Sequence, residues 1–276
     1  MKGYKGFHKG MICRGKQYTE NTVFEESEAN ICENGMHFCK NPFDVLAYYS
    51  FVDDDYELNE FAEVEALDEV KTDDDRKFCT KKLRIGAKLS LAEFIQVCAE
   101  KAKGWNNSKS FANISISEDR IQAGVTGCES KVATTGFDSK VASTGNHSEV
   151  AFTGNYSTVA STGNYFKAAS TGNYFKAAST GNFSEIVSTG DDSQIVSTGR
   201  YSTVVSTGES CVICCTGINP RAKAKKGSWL TLGEWEWNEE KKNYIPVCVK
   251  TERVDGEHIK EDVFYTLKDG EFQEVV

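Results

Sequence analysis

The chain has 276 residues, of which 39% are apolar, and its formal net charge at pH 7 is −9. This acidic balance disfavours a nucleic-acid partner, because phosphate contacts need clustered Lys and Arg. No run approaches the ~18 apolar residues of a membrane-spanning helix, and the N-terminus lacks the apolar core of a secretory signal; we therefore expect a cytoplasmic protein with no membrane partner, whose ten cysteines stay reduced.

Residues 1–103 have the mixed pattern of an α+β domain. Pro42 followed by Asp44 as an N-cap predicts a helix that carries Tyr48 and Tyr49. Two strands and a second helix are also predicted, at Phe61 to Ala66, Lys81 to Ile85 and Leu91 to Lys103. Residues 104–113, rich in Asn and Ser, are predicted to be a linker.

Thiols and histidines concentrate near the N-terminus. A zinc site would use Cys13, Cys32, His37 and Cys39, but there is no Cys-x-x-Cys pair, and His37 and Cys39 at i and i+2 would need an unusual knuckle. We therefore favour thiols packed beneath a small sheet, and predict neither a metal nor another cofactor. A thiol nucleophile paired with His8 or His37 is the weaker alternative, because the sequence offers no third group to orient the pair.

A second pattern in the same module is similar to the ADP-ribosyltransferase fold. It consists of Tyr-x-Gly from Tyr4, Gly-x-His-Phe from Gly35 and a helix that ends in Tyr-Tyr. In that fold an early strand and a His-bearing strand cradle NAD, and a late acidic residue orients the nicotinamide ribose. The resemblance implies a catalytic set of Tyr4, Arg14, His37 and either Glu63 or Glu65.

Residues 114–218 are built from nine-residue repeats. Eleven Thr-Gly pairs recur without a slip from Thr126 to Thr216. A short fixed period over this length is typical of a solenoid. The column three residues before each Thr is Ala, Val or Ile and must point inward, whereas the preceding column, which holds Lys, Glu, Gln and Thr, is predicted to point outward. Each repeat is therefore one strand.

The outward column predicts how many repeats form a coil. With two repeats per coil, one ladder runs Lys131, Glu149, Lys167, Glu185, so that stacked charges alternate in sign; one or three repeats per coil would stack lysine on lysine. We predict a parallel, two-sheeted β-solenoid of about five coils. Each repeat Gly is expected to supply a permissive turn, and the Asn that follows it to tolerate the left-handed region.

Aromatic residues are predicted to stack along both edges of the solenoid. Tyr156 should lie over Tyr174 on one edge, and Tyr165, Phe183 and Tyr201 should stack on the other. These five are our candidate binding residues outside the N-terminal module. The layout resembles the calcium-binding β-roll, but the Gly-Gly-x-Gly-x-Asp turn that supplies its ligands is missing, so we reject a calcium site.

Residues 219–276 are predicted to form a β-rich cap, since an open coil exposes its core and its strand edges. Four segments have strand character: Ser228 to Leu232, Trp235 to Trp237, Tyr244 to Val249 and Val263 to Leu267. Three tryptophans in this region, Trp229, Trp235 and Trp237, are expected to close the core rather than to stack a base.

Three blocks carry a resemblance that spans nearly the whole chain: Gly6 to Gly15, Gly35 to Pro42 and Val254 to Lys260, together with the Thr-Gly repeats. They resemble a family of uncharacterised proteins encoded by phages, prophages and gut bacteria. The resemblance implies this architecture and a phage or mobile-element origin, and no activity comes with it.

These observations favour a non-enzymatic interaction protein. The solenoid would be a rigid spacer and the N-terminal module would engage a protein partner or small ligand; if a phage encodes it, the partner would be a host protein or defence component in the bacterial cytoplasm. One alternative is an enzyme that acts on NAD or a nucleotide through the N-terminal domain. Another is a self-assembling protein, a homodimer through the small apolar column from Ala142 to Val205.

Overall fold

The structure is a computed structural model that describes residues 1–31, 33–53, 57–91, 93–94, 97–98 and 113–275. The chain forms two compact units, Met1–Lys101 and Ala102–Val276. Across the described residues the protein is mainly β, and no helix there is long and apolar enough to cross a membrane.

The N-terminal unit is a twisted antiparallel sheet with short connections. Its described elements are β1 (Lys2–Phe7), β2 (Ile12–Cys13), β3 (Lys16–Gln17), β4 (Val23–Glu25), β5 (Met36–Cys39), α1 (Pro42–Val45), β6 (Glu60–Ala66), β7 (Val70–Thr72), β8 (Lys77–Thr80) and β9 (Lys82–Leu89). Seven of the strands form one sheet in the order β4-β9-β6-β1-β5-β8-β7, and β2 pairs with β3 as a separate hairpin. Phe7, Met36, Phe38 and Leu83 belong to the buried core on one face of this sheet.

Sequence patterns located most of these elements. The strands predicted at residues 61–66 and 81–85 correspond to β6 and to the first half of β9. The predicted helix was wrong at both ends: its N-cap is Asn41, three residues before Asp44, and α1 ends at Val45, before Tyr48 and Tyr49. The Asn41 side chain accepts a hydrogen bond from the Phe43 amide at 3.2 Å. Asn is as good an N-cap as Asp, and Pro42 then occupies the first turn, where its missing amide costs nothing. Residues 91, 93, 94, 97 and 98 are helical, and the rest of the predicted second helix and the predicted linker lie outside the described residues, apart from residue 113.

The second unit is dominated by a parallel β-solenoid. Its strands are β10 (Asn113–Ile116), β11 (Gln122–Val125), β12 (Lys131–Thr134), β13 (Lys140–Ser143), β14 (Glu149–Phe152), β15 (Thr158–Ser161), β16 (Lys167–Ser170), β17 (Lys176–Ser179), β18 (Glu185–Ser188), β19 (Gln194–Ser197), β20 (Thr203–Ser206), β21 (Val212–Cys215), β22 (Arg221–Lys223) and β23 (Trp229–Asn238). Strands with even numbers form one parallel sheet, here called the even sheet, and those with odd numbers form the other, the odd sheet.

Each coil contains two nine-residue repeats, as the charge ladder predicts. Lys131 pairs with Glu149, Glu149 with Lys167, and Lys167 with Glu185. The inward column is buried between the sheets, and from Val132 to Ile213 none of its residues is more than 5% exposed. The two-sheeted solenoid is confirmed.

The solenoid is longer than the repeat pattern indicates. It has about seven turns instead of about five, because parallel pairing continues beyond Ile218 through β22 and the first part of β23, to Leu232. The Thr-Gly pairs end there, but Ala222 and Leu230 still occupy the inward column and are fully buried. Backbone pairing and an apolar inward residue therefore suffice to extend a coil.

The outward column differs between the two sheets. On the odd sheet Lys140 and Lys176 are exposed, as expected. On the even sheet Lys131 and Glu185 are only 9% and 8% exposed, so the expectation of a solvated face is wrong there. The alternating ladder makes this burial tolerable, since each charge lies beside its opposite; Lys131 Nζ is 3.6 Å from Glu149 Oε2.

Contacts between stacked coils, more than the backbone freedom of single residues, explain why Gly and Asn occur in the turns. The repeat glycines do not adopt positive φ; the left-handed residue is the second one after each Gly, for example Tyr174 with φ of 57°. At Gly172 a Cβ would lie 2.6 Å from the Gly154 carbonyl carbon of the preceding coil. The Asn155 side chain accepts a hydrogen bond from the Asn173 amide one coil further on, at 2.9 Å. Gly is thus required for close approach and Asn for its acceptor oxygen, which corrects both roles assigned from the sequence.

The C-terminal residues close the solenoid with antiparallel strands, β24 (Asn243–Arg253), β25 (Tyr265–Lys268) and β26 (Glu271–Glu274). β24 pairs with β23, and β25 pairs with β22. Leu232, Val254 and Tyr265 are buried at this end. The tryptophans were expected to close the core at this end. Trp229 and Trp237 are instead 46% and 48% exposed, because β23 turns these side chains to the outer face.

Candidate functional site

The candidate site is a cavity in the N-terminal unit, at the junction of β1 and β5. These neighbouring strands form a single pair, Tyr4 with Cys39, whereas β1 pairs with β6 along its whole length. Both members of the Tyr4–Cys39 pair line the cavity, together with Lys5 of β1 and His37 of β5. Its volume is about 640 Å³, within the usual size range of small-molecule sites.

Six candidate site residues of the sequence line this cavity: Tyr4, His8, Cys13, Arg14, His37 and Cys39. The two glutamates proposed beside them do not line it. Glu63 lies on β6 opposite Tyr4, and Glu65 forms an ion pair with Arg84 at 2.9 Å. Cys32 lies outside the described residues, which contain no group of three or more metal-ligating side chains.

The β2–β3 hairpin places Cys13 and Arg14 in the cavity wall. Arg14 and Gly15 have φ of 52° and 76°, the pattern of a tight two-residue hairpin turn. The Arg14 guanidinium lies 3.5 Å from the Glu33 carbonyl oxygen. A short turn with a fixed backbone therefore holds a thiol and a cation against the end of β5.

The cavity is lined by more cations than anions, opposite to the balance of the whole chain. Among the residues that the structure describes, its cationic side chains are Lys5, Arg14, Lys16 and Lys77, and its carboxylates are Glu26 and Glu33. Lys16 and Glu26 form an ion pair at 2.7 Å. Four cations against two carboxylates leave an excess of two positive charges, which favours an anionic ligand.

His37 is neutral at physiological pH. Burial, together with the positive charges of Lys5, Lys77 and Arg14, lowers its pKa from 6.5 to about 4. A neutral imidazole donates at one ring nitrogen and accepts at the other. The group therefore lines the cavity without adding to its charge.

Four tyrosines complete the wall: Tyr4, Tyr18, Tyr48 and Tyr49. Burial raises the pKa of both Tyr18 and Tyr49. Tyr48 is 47% exposed and its ring lies 4.7 Å from Lys77 Nζ. Exposed aromatic faces next to cations can contact a planar ring and an anionic group of the same ligand.

Sequence reasoning missed the lysines and most of the tyrosines of the wall. Lys5 stands in a strand between apolar and glycine residues, and Lys16, Glu26 and Lys77 come from segments that share no spacing with it. Lys5 offered one clue. A charged residue in a strand whose other residues are small or aromatic must find a partner if it is buried.

The aromatic edges of the solenoid lie where the sequence placed them. Ring centroids are 4.6 Å apart for Tyr156 and Tyr174, 5.0 Å for Tyr165 and Phe183, and 5.2 Å for Phe183 and Tyr201. All five rings are exposed. They stack on one another along the solenoid, which gives them a structural role that needs no ligand.

Comparison with known proteins gives one family for the unit that contains the cavity. Residues 1–97 match the family described as Domain of unknown function (DUF7666). Every cavity-lining residue lies within the matched segment. No curated protein and no solved structure matches the chain.

Proposed function

We propose that this chain is a binding protein, in which the cavity of the N-terminal unit takes a small anionic ligand and the solenoid serves as a rigid stem and display surface. The observation that carries the proposal is the excess of Lys and Arg over carboxylates in a cavity of about 640 Å³, in a chain of net charge −9.

The mixture of tyrosine rings and cations favours a ligand of the nucleotide class. A base or similar ring would stack on a tyrosine such as Tyr48, while phosphate oxygens would accept hydrogen bonds from Arg14 and Lys77. The volume suits a ligand of this size.

Isothermal titration calorimetry with ADP, NAD, pyrophosphate and adenosine tests the proposal. Arg14→Ala and Lys77→Ala should each weaken binding of the phosphate-bearing ligands about tenfold, because each removes a charge-assisted hydrogen bond. Arg84→Ala is the matched control, since Arg84 pairs with Glu65 outside the cavity. Binding that is absent for all four ligands, or equally weakened by the control, would contradict the proposal.

We also propose that the chain binds a macromolecular partner in addition to the small ligand. The resemblance to proteins of phages and prophages supports a host protein or defence component of the bacterial cytoplasm as that partner. Affinity capture from a bacterial lysate, followed by mass spectrometry, should recover one stoichiometric protein. The capture should be repeated with a chain altered at Arg14. If this variant no longer recovers the same protein, the partner binds through the cavity.

Catalysis on NAD is the second candidate, favoured by the convergence of Tyr4, Arg14 and His37 on the cavity. The acidic residue that such chemistry requires would have to be Glu33 or Glu26, since Glu63 and Glu65 lie outside. Incubation with labelled NAD tests it. An enzyme would transfer label from NAD, and His37→Ala and Glu33→Ala would each abolish this transfer, whereas Glu65→Ala would leave it unchanged. This result would favour the enzyme over the binding protein.

Self-association through the solenoid is favoured by one further observation. Half of the small apolar column, on the odd sheet, is exposed: Ala142, Ala160, Ala178 and Val196. Two copies could pair through this flat face. Size-exclusion chromatography with light scattering should then give the mass of a dimer, and Ala160→Lys should return the monomer.

A further inference from the structure

Three side chains of the cavity wall form a cluster that ligand binding alone does not explain. Lys5 Nζ lies 3.2 Å from Cys13 Sγ, and the Tyr49 hydroxyl lies 3.0 Å from the same sulfur. Both groups donate, so Cys13 Sγ accepts two hydrogen bonds. A thiol is a weak acceptor, whereas a thiolate is a strong one.

The positive charge of Lys5 is buried and therefore needs a negatively charged partner. Lys5 is 4% exposed, and its ammonium also donates to the His37 carbonyl oxygen at 2.9 Å. No carboxylate forms an ion pair with Lys5 within the part of the chain that the structure describes. A buried ammonium is costly unless an opposite charge lies beside it. Among the described residues, the hydrogen-bonded neighbour of Lys5 that can carry a negative charge is the sulfur of Cys13.

We propose that Lys5 and Cys13 form an ammonium–thiolate pair and that Cys13 is a reactive thiol, which forms mixed disulfides with small disulfides entering the cavity. The Cys13 sulfur attacks one sulfur of the reagent, a new S–S bond forms and the old one breaks. The other half of the reagent leaves as a thiolate and takes its proton from solvent. Cys13 is oxidised and half of the reagent is reduced, so electrons balance.

Cys39 lines the same cavity, whereas three other described thiols lie in different surroundings. Cys79 donates to the Asn34 carbonyl oxygen at 3.1 Å, and burial raises its pKa. Burial also raises the pKa of Cys214 and Cys215. These thiols stay protonated and are inert internal references. Cys128 is exposed and would react for that reason alone, so it has to be removed before the test.

The cavity also selects the charge of the reagent. Cys13 is 7% exposed, so a disulfide reaches it through the cavity that it lines. There the reagent passes Arg14 and Lys77, which attract anions and repel cations. The class of ligand is therefore a small disulfide with carboxylate groups, such as dithiobis(nitrobenzoate) or glutathione disulfide. Cystamine, a cationic disulfide, is the opposite probe.

The test uses the reduced full-length protein in a Cys128→Ser background, with peptide mapping to assign each modified cysteine. Cys13 should react with dithiobis(nitrobenzoate) about tenfold faster than Cys79, because a free thiol is only a few per cent ionised at neutral pH. The reaction with cystamine should be slower by a similar factor at low salt. Neither result requires a nucleotide to bind, so this proposal and the proposed function fail separately.

Variants identify the partner of the thiol. Lys5→Met should slow Cys13 about tenfold, whereas Lys5→Arg, which keeps the charge, should retain most of the rate; Tyr49→Phe keeps the ring and should slow the reaction a few-fold. Lys9→Met removes an exposed lysine that pairs with Glu57, and is the matched control. Circular dichroism checks the fold of each variant. A Cys13 that reacts no faster than Cys79, or is equally fast without the Lys5 charge, overturns the proposal.

Discussion

A methyl group at a repeat glycine should separate two coils of the solenoid. In Gly172→Ala the new Cβ would lie 2.6 Å from the Gly154 carbonyl carbon and 3.0 Å from the Asn155 nitrogen. It must retreat by about 0.9 Å to reach a normal contact of about 3.5 Å. That shift stretches two flanking hydrogen bonds beyond range, from Asn173 to Asn155 at 2.9 Å and from Thr171 to Phe152 at 3.0 Å. At about 1 kcal/mol for each bond and about 2 kcal/mol for overpacking, the free energy of unfolding should fall by about 4 kcal/mol.

Gly124→Ala is the control, because a Cβ there meets nothing within 4 Å and φ is ordinary. This change should be neutral or stabilising by less than ~1 kcal/mol, through the lower entropy of the unfolded chain. Thermal and urea denaturation followed by circular dichroism measure both variants. Gly172→Ala should lower the midpoint temperature by about 10 °C relative to the control. Equal midpoints would refute the idea that close approach of the coils fixes the glycine column.

Three further perturbations examine the charges and rings. Lys131→Ala should cost about 3 kcal/mol because it removes one of the two lysines stacked on the largely buried Glu149 carboxylate, whereas Lys140→Ala, at the equivalent exposed position, should cost less than ~1 kcal/mol by urea denaturation. Phe183→Asn should cost about 1 kcal/mol more than Tyr201→Asn in the same assay, since the first ring lies between two others and the second contacts one. The His37 pKa of about 4 lies below its unfolded value of 6.5, so the unfolded chain binds the proton first and stability falls as pH drops through that window. The loss should approach ~2 kcal/mol after allowance for partial exposure, and His37→Gln should abolish that part of the pH dependence.

The architecture of the solenoid was predictable because every column of the repeat occurs many times. One outward column was enough to distinguish two repeats per coil from one or three, since like charges avoid direct stacking. The register of Lys131 over Glu149 then followed. The number of coils was underestimated because the prediction counted Thr-Gly pairs. Coils that lack the Thr-Gly pair, such as the one that contains Leu230, cannot be counted from the repeat alone.

The turns could not be predicted from one repeat in isolation. Intrinsic preference places Gly and Asn in the left-handed region, yet Tyr174 and its equivalents occupy it at a cost of about 1 kcal/mol each. The determinants lie in the neighbouring coil, where Gly154 leaves no room for a Cβ at Gly172 and Asn155 accepts an amide hydrogen bond. Preferences measured residue by residue do not contain such contacts.

The cavity was predictable only in part. Tyr4, Arg14 and His37 stand in short motifs that drew attention to them, but Lys5 did not, because its role depends on where β2 and β3 place the Cys13 sulfur. The cavity lies at the junction of β1 and β5, which pair at one position only. No periodicity encodes an interrupted ladder, so its location requires the assembled sheet.

The contrast between the acidic chain and its cationic cavity has a consequence for binding. Charges on the outer surface are screened within about 8–10 Å at physiological salt, whereas those inside a concave wall are screened less. An anionic ligand is therefore repelled weakly at a distance and attracted by Arg14 and Lys77 once it is inside. The net charge of −9 disfavours large polyanions, whereas a small phosphate or carboxylate would meet the cationic wall alone. Size and charge together then set the selectivity of the site.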